Sequence, residues 1–254
     1  MVSSLRIHAA SLILVLALSA CASGVSFPKN KLGDEHGASE TIIGFLSLPS
    51  GKGPFPAVVL LHSCGGMGTH VTSDWPNFLT KHGYAALTVD TFGSRGVERC
   101  PEGRRYTALP MWQDAYGALD YLAVRTDIDR DRIAVMGFSV GARVVENIST
   151  EDLKGLSGKN FKAGIAFYGG CDAGGNPSFP VLEIIGDRDS NAVMCPSKSE
   201  PYLTIKIIQG AYHAFDNVES SGKYDASDNY MQYNGAAVDK ARQHTKDFLA
   251  KHLR

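Results

Sequence analysis

The chain has 254 residues, a formal net charge of −1 at pH 7 and no basic cluster, so its composition does not indicate nucleic acid as a partner. This length suits one large domain or two small ones, and α/β folds of this size often form one. The charge balance indicates no other macromolecular partner. No exposed apolar stripe is recognisable, so we expect a monomer that acts on a small molecule.

Residues 1–20 carry the features of a secretory signal. A basic start precedes the apolar run 9–17, which is too short to span a bilayer comfortably. The tetrapeptide Leu-Ser-Ala-Cys at 18–21 resembles the lipobox of bacterial lipoproteins. In that family the signal peptidase cuts before the cysteine and the cysteine carries the lipid. The resemblance therefore implies that Cys21 is lipidated and becomes the first mature residue.

We accordingly expect an exported protein, lipid-anchored in the bacterial cell envelope, in the periplasm. Ala22 after Cys21 resembles the signal for outer-membrane sorting. An ordinary signal peptide, cut near Ala20 or Ala22, is the alternative. Residues 21–30 are expected to be a short tether, followed by a single domain over 31–254.

Apolar runs alternate with helical patterns along the mature chain. Strands are predicted at 41–48, 57–61, 84–89, 133–136, 163–167, 181–185 and 203–208. Helices are predicted at 73–83, 110–122, 140–148 and 238–249. Such alternation predicts an α/β fold, with a mostly parallel central sheet and helices on both faces.

The segment Gly137-Phe138-Ser139-Val140-Gly141 follows a strand and opens a helix. This is the G-x-S-x-G pattern in the context of the nucleophile elbow of the α/β-hydrolase fold. Glycines are needed at 137 and 141 because the strand and the helix approach each other closely there. We therefore expect the α/β-hydrolase fold, with Ser139 as the nucleophile. A plain strand-to-helix turn with a capping serine is the alternative.

A serine nucleophile needs a base, which in this fold follows it in the chain and lies in a loop after a strand. Of the three histidines after Ser139, two (His244 and His252) fall in the C-terminal helical pattern. His213 directly follows the last predicted strand, so we expect His213 to be the base.

The base in turn needs a carboxylate that orients its ring and stabilises its charged form. Asp187 and Asp189 both lie in the loop after the strand 181–185. Either could reach His213, and the pattern alone does not choose between them.

An oxyanion hole needs two backbone N–H donors. One is expected from Val140, the residue after the nucleophile. The other is expected from Cys64, in the glycine-containing loop 62–66 that follows a buried strand. His62 in the same loop is expected to orient the loop and to have no chemical role.

From residue 57 to the C-terminal helix the chain resembles the dienelactone hydrolase family. The resemblance rests on five segments, at 62–66, 90–96, 137–141, 186–189 and 212–216. It implies hydrolysis of an ester or lactone, with no metal and no organic cofactor. It selects Asp189, because the family's acid stands three residues after the loop glycine. It also implies that Arg95 binds a substrate carboxylate, for which a loop salt bridge is the alternative.

The sequence departs from the family pattern at two positions. The enzymes that named the family carry cysteine at the elbow, coupled to a glutamate in the oxyanion loop. Here the corresponding residues are Ser139 and Ser63. Both changes indicate a serine esterase in place of a dienelactone hydrolase in the strict sense.

Four cysteines remain besides Cys21, and an even number in an oxidising compartment indicates disulfides. Given the fold, Cys64 and Cys100 follow neighbouring strands, and so do Cys171 and Cys195. We therefore expect the pairs Cys64–Cys100 and Cys171–Cys195. Four free buried thiols are the alternative.

The leading hypothesis is an esterase or lactonase that acts through an acyl-enzyme on Ser139. Acyl transfer or peptide hydrolysis on the same triad is one alternative. A non-catalytic envelope protein that binds a ligand is another. The polar segment 216–233, which follows His213, is either part of the pocket wall or a solvated surface loop.

Overall fold

The computed structural model describes residues 22–32, 40–100, 109–149, 159–171, 177–195, 201–225 and 227–254. The main strands are β1 (Ser23–Pro28), β2 (Thr41–Ser47), β3 (Phe55–Leu61), β4 (Ala85–Asp90), β5 (Ile128–Phe138), β6 (Gly164–Phe167), β7 (Val181–Gly186) and β8 (Leu203–Ile208). The helices are α1 (Trp75–Lys81), α2 (Leu109–Ala123), α3 (Val140–Ile148) and α4 (Gly235–His252). A short hairpin is formed by β9 (Lys223–Tyr224) and β10 (Tyr230–Met231).

The eight main strands form one sheet in the order β1-β2-β4-β3-β5-β6-β7-β8. β1 and β2 run antiparallel to their neighbours, and all pairs from β4 to β8 are parallel. The predicted mostly parallel sheet is therefore confirmed. Because the carboxyl ends of parallel strands meet at one edge, the loops after β3, β4, β5, β6, β7 and β8 gather there.

Helices cover both faces of the sheet, as the continuous apolar strands predicted. In β3, Val59 and Leu61 belong to the cluster that packs against α2 and α3. The alternate residues, Val58 and Leu60, belong to the cluster that packs against α1 and α4. This two-residue alternation places a hydrophobic layer on each side of one buried sheet.

The prediction of a tether over residues 21–30 is wrong for residues 23–28. These residues form β1, which pairs along its whole length with β2 and buries Phe27. The sequence hides this strand because an edge strand exposes most of its side chains and needs few apolar residues. Cys21, the predicted lipidation site, lies outside the described residues.

Among the residues that the structure describes, no helix has both the length and the apolar character that a membrane crossing requires.

Candidate active site

Ser139 stands at a sharp turn between β5 and α3. Its backbone has φ 54° and ψ −110°, a conformation that costs a non-glycine residue energy and is held by its surroundings. A Cβ at Gly137 would lie 2.1 Å from the carbonyl oxygen of Gly141, and one at Gly141 would lie 2.4 Å from that of Leu61. Only glycine fits at both positions, so the close approach inferred from the sequence is present.

Three polar side chains from separate loops meet at this turn. The Ser139 hydroxyl lies 3.1 Å from His213 Nε2, and His213 Nδ1 lies 2.7 Å from Asp189 Oδ2. The other carboxylate oxygen of Asp189 accepts a bond of 2.9 Å from the backbone N–H of Asn191. Both His213 and Asp189 are buried. The arrangement can take a proton from the hydroxyl and stabilise the charge that results.

The competing residues of the same types lie elsewhere. Asp187 accepts a bond of 2.6 Å from the backbone N–H of Gly210. His244 and His252 belong to α4, whose apolar residues pack on the sheet face. His213 and Asp189, the residues expected from the sequence, are therefore the ones that the fold brings to Ser139.

A second layer of buried polar groups supports His213 from behind. The Tyr168 ring packs edge-on against the His213 ring, with 4.9 Å between centroids. The Tyr168 hydroxyl donates to Asp216 Oδ1 and Trp75 Nε1 donates to Asp216 Oδ2, each at 2.7 Å. Burial, with the Asp216 charge second, raises the pKa of Tyr168 well above its usual range, so this hydroxyl remains a donor.

The loop after β3 lies beside the nucleophile because β3 pairs with β5, with Leu61 opposite Gly137. It turns tightly, and the backbone N–H of Gly66 donates to the carbonyl of Ser63 at 3.0 Å. Its Cys64 lies on this turn, and Val140 opens α3 directly after the nucleophile. The two expected donors of an oxyanion hole thus belong to segments that flank Ser139.

His62 contacts the loop that follows β3, as expected of a residue that orients this loop. The residue is buried, its Nδ1 lies 2.8 Å from the carbonyl oxygen of Ser63, and its ring packs against Phe92 at 4.4 Å. Burial lowers its pKa, so the ring is neutral and Nδ1 carries the hydrogen donated to that carbonyl.

Residues 42–253, which make up most of the chain, match the dienelactone hydrolase family. The chain belongs to the dienelactone hydrolase family. It is 30% identical over 129 residues to YtaP of Bacillus subtilis and 32% identical over 103 residues to the esterase FrsA of Klebsiella pneumoniae. These matches cover 42% and 41% of this chain, but only 43% and 24% of those two proteins.

The fold is that of solved α/β-hydrolases. The dienelactone hydrolase of Anabaena variabilis superposes with a TM-score of 0.61 at 16% identity, over 92% of this chain and 99% of that one. The predicted α/β-hydrolase fold is therefore confirmed.

Arg95, which the family resemblance suggested as a ligand of a substrate carboxylate, already binds carboxylates of this chain. Its guanidinium holds both oxygens of the buried Asp114, at 2.8 and 3.0 Å, and Oε2 of Glu40 at 2.7 Å. It also donates to the carbonyl of Thr91 at 2.9 Å. These contacts correspond to the loop salt bridge that the sequence left open as the alternative.

Both expected disulfides are present, Cys64–Cys100 and Cys171–Cys195, each with 4.9 Å between Cα atoms. The first ties the oxyanion loop to the loop after β4. The second ties the loop after β6 to the end of the turn that begins at Asp189. The loops that flank Ser139, His213 and Asp189 are therefore covalently linked in pairs.

The sequence alone missed two features of the site. Tyr168 gave no signal, since it is one aromatic residue at the end of an apolar strand. Asp225 lies in the polar segment 216–233, for which the sequence pattern allows either a pocket wall or a solvated surface loop. The structure places Asp225 Oδ2 at 3.7 Å from His213 Nε2, so part of this segment does reach the site.

Proposed function

We propose that this protein hydrolyses carboxylic esters or lactones through an acyl-enzyme formed on Ser139. The observation that carries the proposal is the chain of contacts from Ser139 to His213 and on to Asp189, at 3.1 and 2.7 Å. An ordinary serine hydroxyl is a weak nucleophile, and this arrangement is the one that activates it. The family membership and the esterase among its relatives support the same class of reaction.

In the first half-reaction, the Ser139 oxygen attacks the substrate carbonyl and His213 Nε2 takes the hydroxyl proton. Asp189 stabilises the imidazolium through its bond to Nδ1. The N–H groups of Cys64 and Val140 bind the oxyanion. When the carbon–oxygen bond breaks, His213 gives its proton to the leaving alcohol and the acyl group stays on Ser139.

In the second half-reaction, His213 takes a proton from water, and the resulting hydroxide equivalent attacks the acyl-enzyme. The acid is released and Ser139 regains its proton. For a lactone the leaving alcohol is part of the same molecule, so one hydroxy acid is released. The buried contacts of His213 with Tyr168 keep its ring in place through both halves.

We also propose that the protein is exported and lipid-anchored at Cys21. The two disulfides support export, because such bonds persist in oxidising compartments and are rare in the cytosol. The lipobox-like tetrapeptide at 18–21 supports the anchor.

Labelling with a fluorophosphonate probe tests the proposed function, because the probe reacts with activated serines. We expect the wild-type protein to be labelled and to hydrolyse short-chain esters, and Ser139→Ala to do neither. Ser50→Ala, which changes an exposed serine in a turn, is the matched control and should behave as the wild type. A folded wild-type protein that is neither labelled nor active would contradict the proposal and favour a ligand-binding protein.

A further inference from the structure

A second carboxylate stands on the reacting side of His213. Asp189 contacts Nδ1, whereas Asp225 Oδ2 lies 3.7 Å from Nε2, the nitrogen that faces Ser139. The Asp225 side chain is 24% exposed, so it borders the open part of the site. The triad mechanism requires one carboxylate, on Nδ1, and assigns no role to the carboxylate of Asp225.

Three hydrogen bonds from the loop between β9 and β10 fix the carboxylate of Asp225 in place. Asp225 Oδ1 accepts from the backbone N–H groups of Ser227 and Asn229 at 2.7 and 2.9 Å, and Oδ2 accepts from Asn229 Nδ2 at 3.1 Å. Asn229 is buried and is hydrogen-bonded to Ser190, the residue after the triad acid. A carboxylate held in this way is preorganised, and its Oδ2 has acceptor capacity left.

The hairpin itself is joined to the catalytic loop. His213 and Met231 of β10 form an isolated parallel bridge. The backbone N–H of Gly222 also donates to the carbonyl of Met231 at 2.8 Å. The position of Asp225 relative to the base therefore follows from backbone pairing as well as from its own side-chain bonds.

Proton transfer places the leaving group beside Asp225. The leaving oxygen takes its proton from His213 Nε2 and must come within hydrogen-bond reach, about 3 Å, of that nitrogen. Asp225 Oδ2 stands 3.7 Å from the same nitrogen. A substituent a few bonds beyond the leaving oxygen thus meets a fixed negative charge, which attracts a cation and repels a carboxylate.

Carboxylates also line a cleft beside the loop that follows β3. The cleft has a volume of about 340 Å³ and is lined by Asp90, Glu98 and Glu219, and the described residues that line it include no Lys, Arg or His. Arg95 is engaged by Asp114 and Glu40. A ligand group that extended into this cleft would meet negative charge there, which favours a cation over a carboxylate.

We propose that Asp225 is a specificity residue that selects esters whose alcohol moiety carries a positive charge and disfavours those whose alcohol moiety carries a carboxylate. This inference rests on the proposed esterase function and names the substrate class for it. It assigns Asp225 a contact with the leaving group and no part in proton transfer.

Three butanoyl esters with alcohols of similar size test the proposal. These are the choline ester, its uncharged isostere the 3,3-dimethylbutyl ester, and the ester of 3-hydroxypropanoate. We expect kcat/KM to fall in that order for the wild-type protein. In Asp225→Asn we expect the ratio of the choline ester to the 3-hydroxypropanoate ester to fall by about tenfold, the size of a lost contact to a charged group.

Two further variants separate charge from folding. Asp225→Glu keeps the charge and should keep the order of the three esters. Asp228→Asn changes an exposed carboxylate in the same loop and should leave the ratios as in the wild type. Each ratio compares kcat/KM for two esters in the same variant, so a general loss of activity cancels.

The outcomes distinguish the two proposals. Turnover of the uncharged ester, with equal ratios in the wild type and Asp225→Asn, would overturn the role of Asp225 and leave the esterase proposal standing. A folded wild-type protein that hydrolyses none of the esters and is not labelled by fluorophosphonate would overturn both.

Discussion

Asp187 and Asp189 stand two residues apart on the loop after β7, and their carboxylates have different partners. Asp189 is the N-cap of a short turn, with one oxygen on the backbone N–H of Asn191 and the other on His213 Nδ1. Asp187 binds the backbone N–H of Gly210. The chain turns here, with the backbone N–H of Asp189 donating to the carbonyl of Gly186 at 3.2 Å, so the two carboxylates meet different parts of the loop after β8.

At this scale we predict that Asp189→Asn and Asp187→Asn have very different effects. Asp189→Asn removes the acceptor that holds the base and stabilises its charged form, so kcat should fall by about 10⁴-fold. Asp187→Asn removes only a loop bond, so its kcat should stay within a few-fold of the wild type. Steady-state kinetics on one ester measures both.

Thermal unfolding of both variants is the control for folding. Equal losses of kcat in the two variants, with both folded, would remove the special role of Asp189.

At the scale of elements, two buried glutamates hold the loop between β6 and β7. Glu146 of α3 accepts from the backbone N–H of Gly170 at 2.8 Å, and Glu183 of β7 accepts from that of Gly169 at 3.0 Å. The loop carries Tyr168, whose ring packs against His213. The two carboxyl groups thus position one wall of the active site.

The same two groups are placed to share one proton. Burial first, and the Glu146 charge second, raise the pKa of Glu183 well above its usual range. Glu183 Oε2 is buried, and no described group donates a hydrogen bond to it. A proton on this oxygen, donated to Glu146, would give it a hydrogen-bond partner. The pair therefore carries one negative charge and not two.

This pairing predicts an unusual pH dependence of stability. Above pH 4.5, the ordinary value for glutamate, the unfolded chain releases the Glu183 proton and the folded protein keeps it. The free energy of unfolding therefore falls as pH rises, by at most about 1.4 kcal/mol per pH unit, until Glu183 itself ionises. Glu183→Gln stays neutral and lacks this slope, so it should gain stability relative to the wild type as the pH rises above 4.5.

Urea unfolding at several pH values measures the difference. Asp239→Asn, on the exposed face of α4, is the control and should show no such trend. A difference between Glu183→Gln and the wild type that is constant with pH would contradict the shared proton.

At the scale of the whole molecule, two disulfides link the loops that carry the site. They close segments with sequence separations of 36 and 24 residues. Closing such loops restricts the unfolded chain and stabilises the folded one by about 3–4 kcal/mol per bridge in the chain-entropy model. Cys64, a proposed oxyanion donor, and Asp189, the proposed triad acid, lie on two of the four loops so joined.

We predict that Cys171→Ala/Cys195→Ala lowers the free energy of unfolding by about 3–4 kcal/mol. Reduction of each bridge in the wild-type protein should lower its free energy of unfolding by a comparable amount. Urea unfolding with and without reductant measures this, with titration of free thiols to count the bonds. An unchanged stability in the double variant would show that these loops are held by their other contacts alone.

Fractionation of cells that express Cys21→Ser tests the proposed lipid anchor. If the wild-type protein is anchored through Cys21, it should be found with the membranes, and the variant, which lacks the lipidated cysteine, should move to the soluble fraction.

Features that depend on neighbours in the chain could be predicted from the amino-acid sequence. The alternation of strands and helices predicted the sheet, and the helix over 140–148 has the bounds expected from it. Ser139 was identifiable because an elbow is built from five consecutive residues. His213 followed from its place just after the last strand. The choice of Asp189 over Asp187 came from the family resemblance, since both residues satisfy the local pattern.

Contacts between distant segments could not be predicted in this way and became visible in the folded structure. Asp216 is bound by Trp75, 141 residues away, and by Tyr168, 48 residues away. Arg95 meets Asp114 of α2, and Asp225 meets His213, through the packing of separate segments of the chain. A polar side chain in a loop has no periodicity to reveal its direction, so its partner is defined only when the sheet brings the loops to one edge. The edge strand β1 was hidden for a related reason, because its partner β2 and not its own composition makes it a strand.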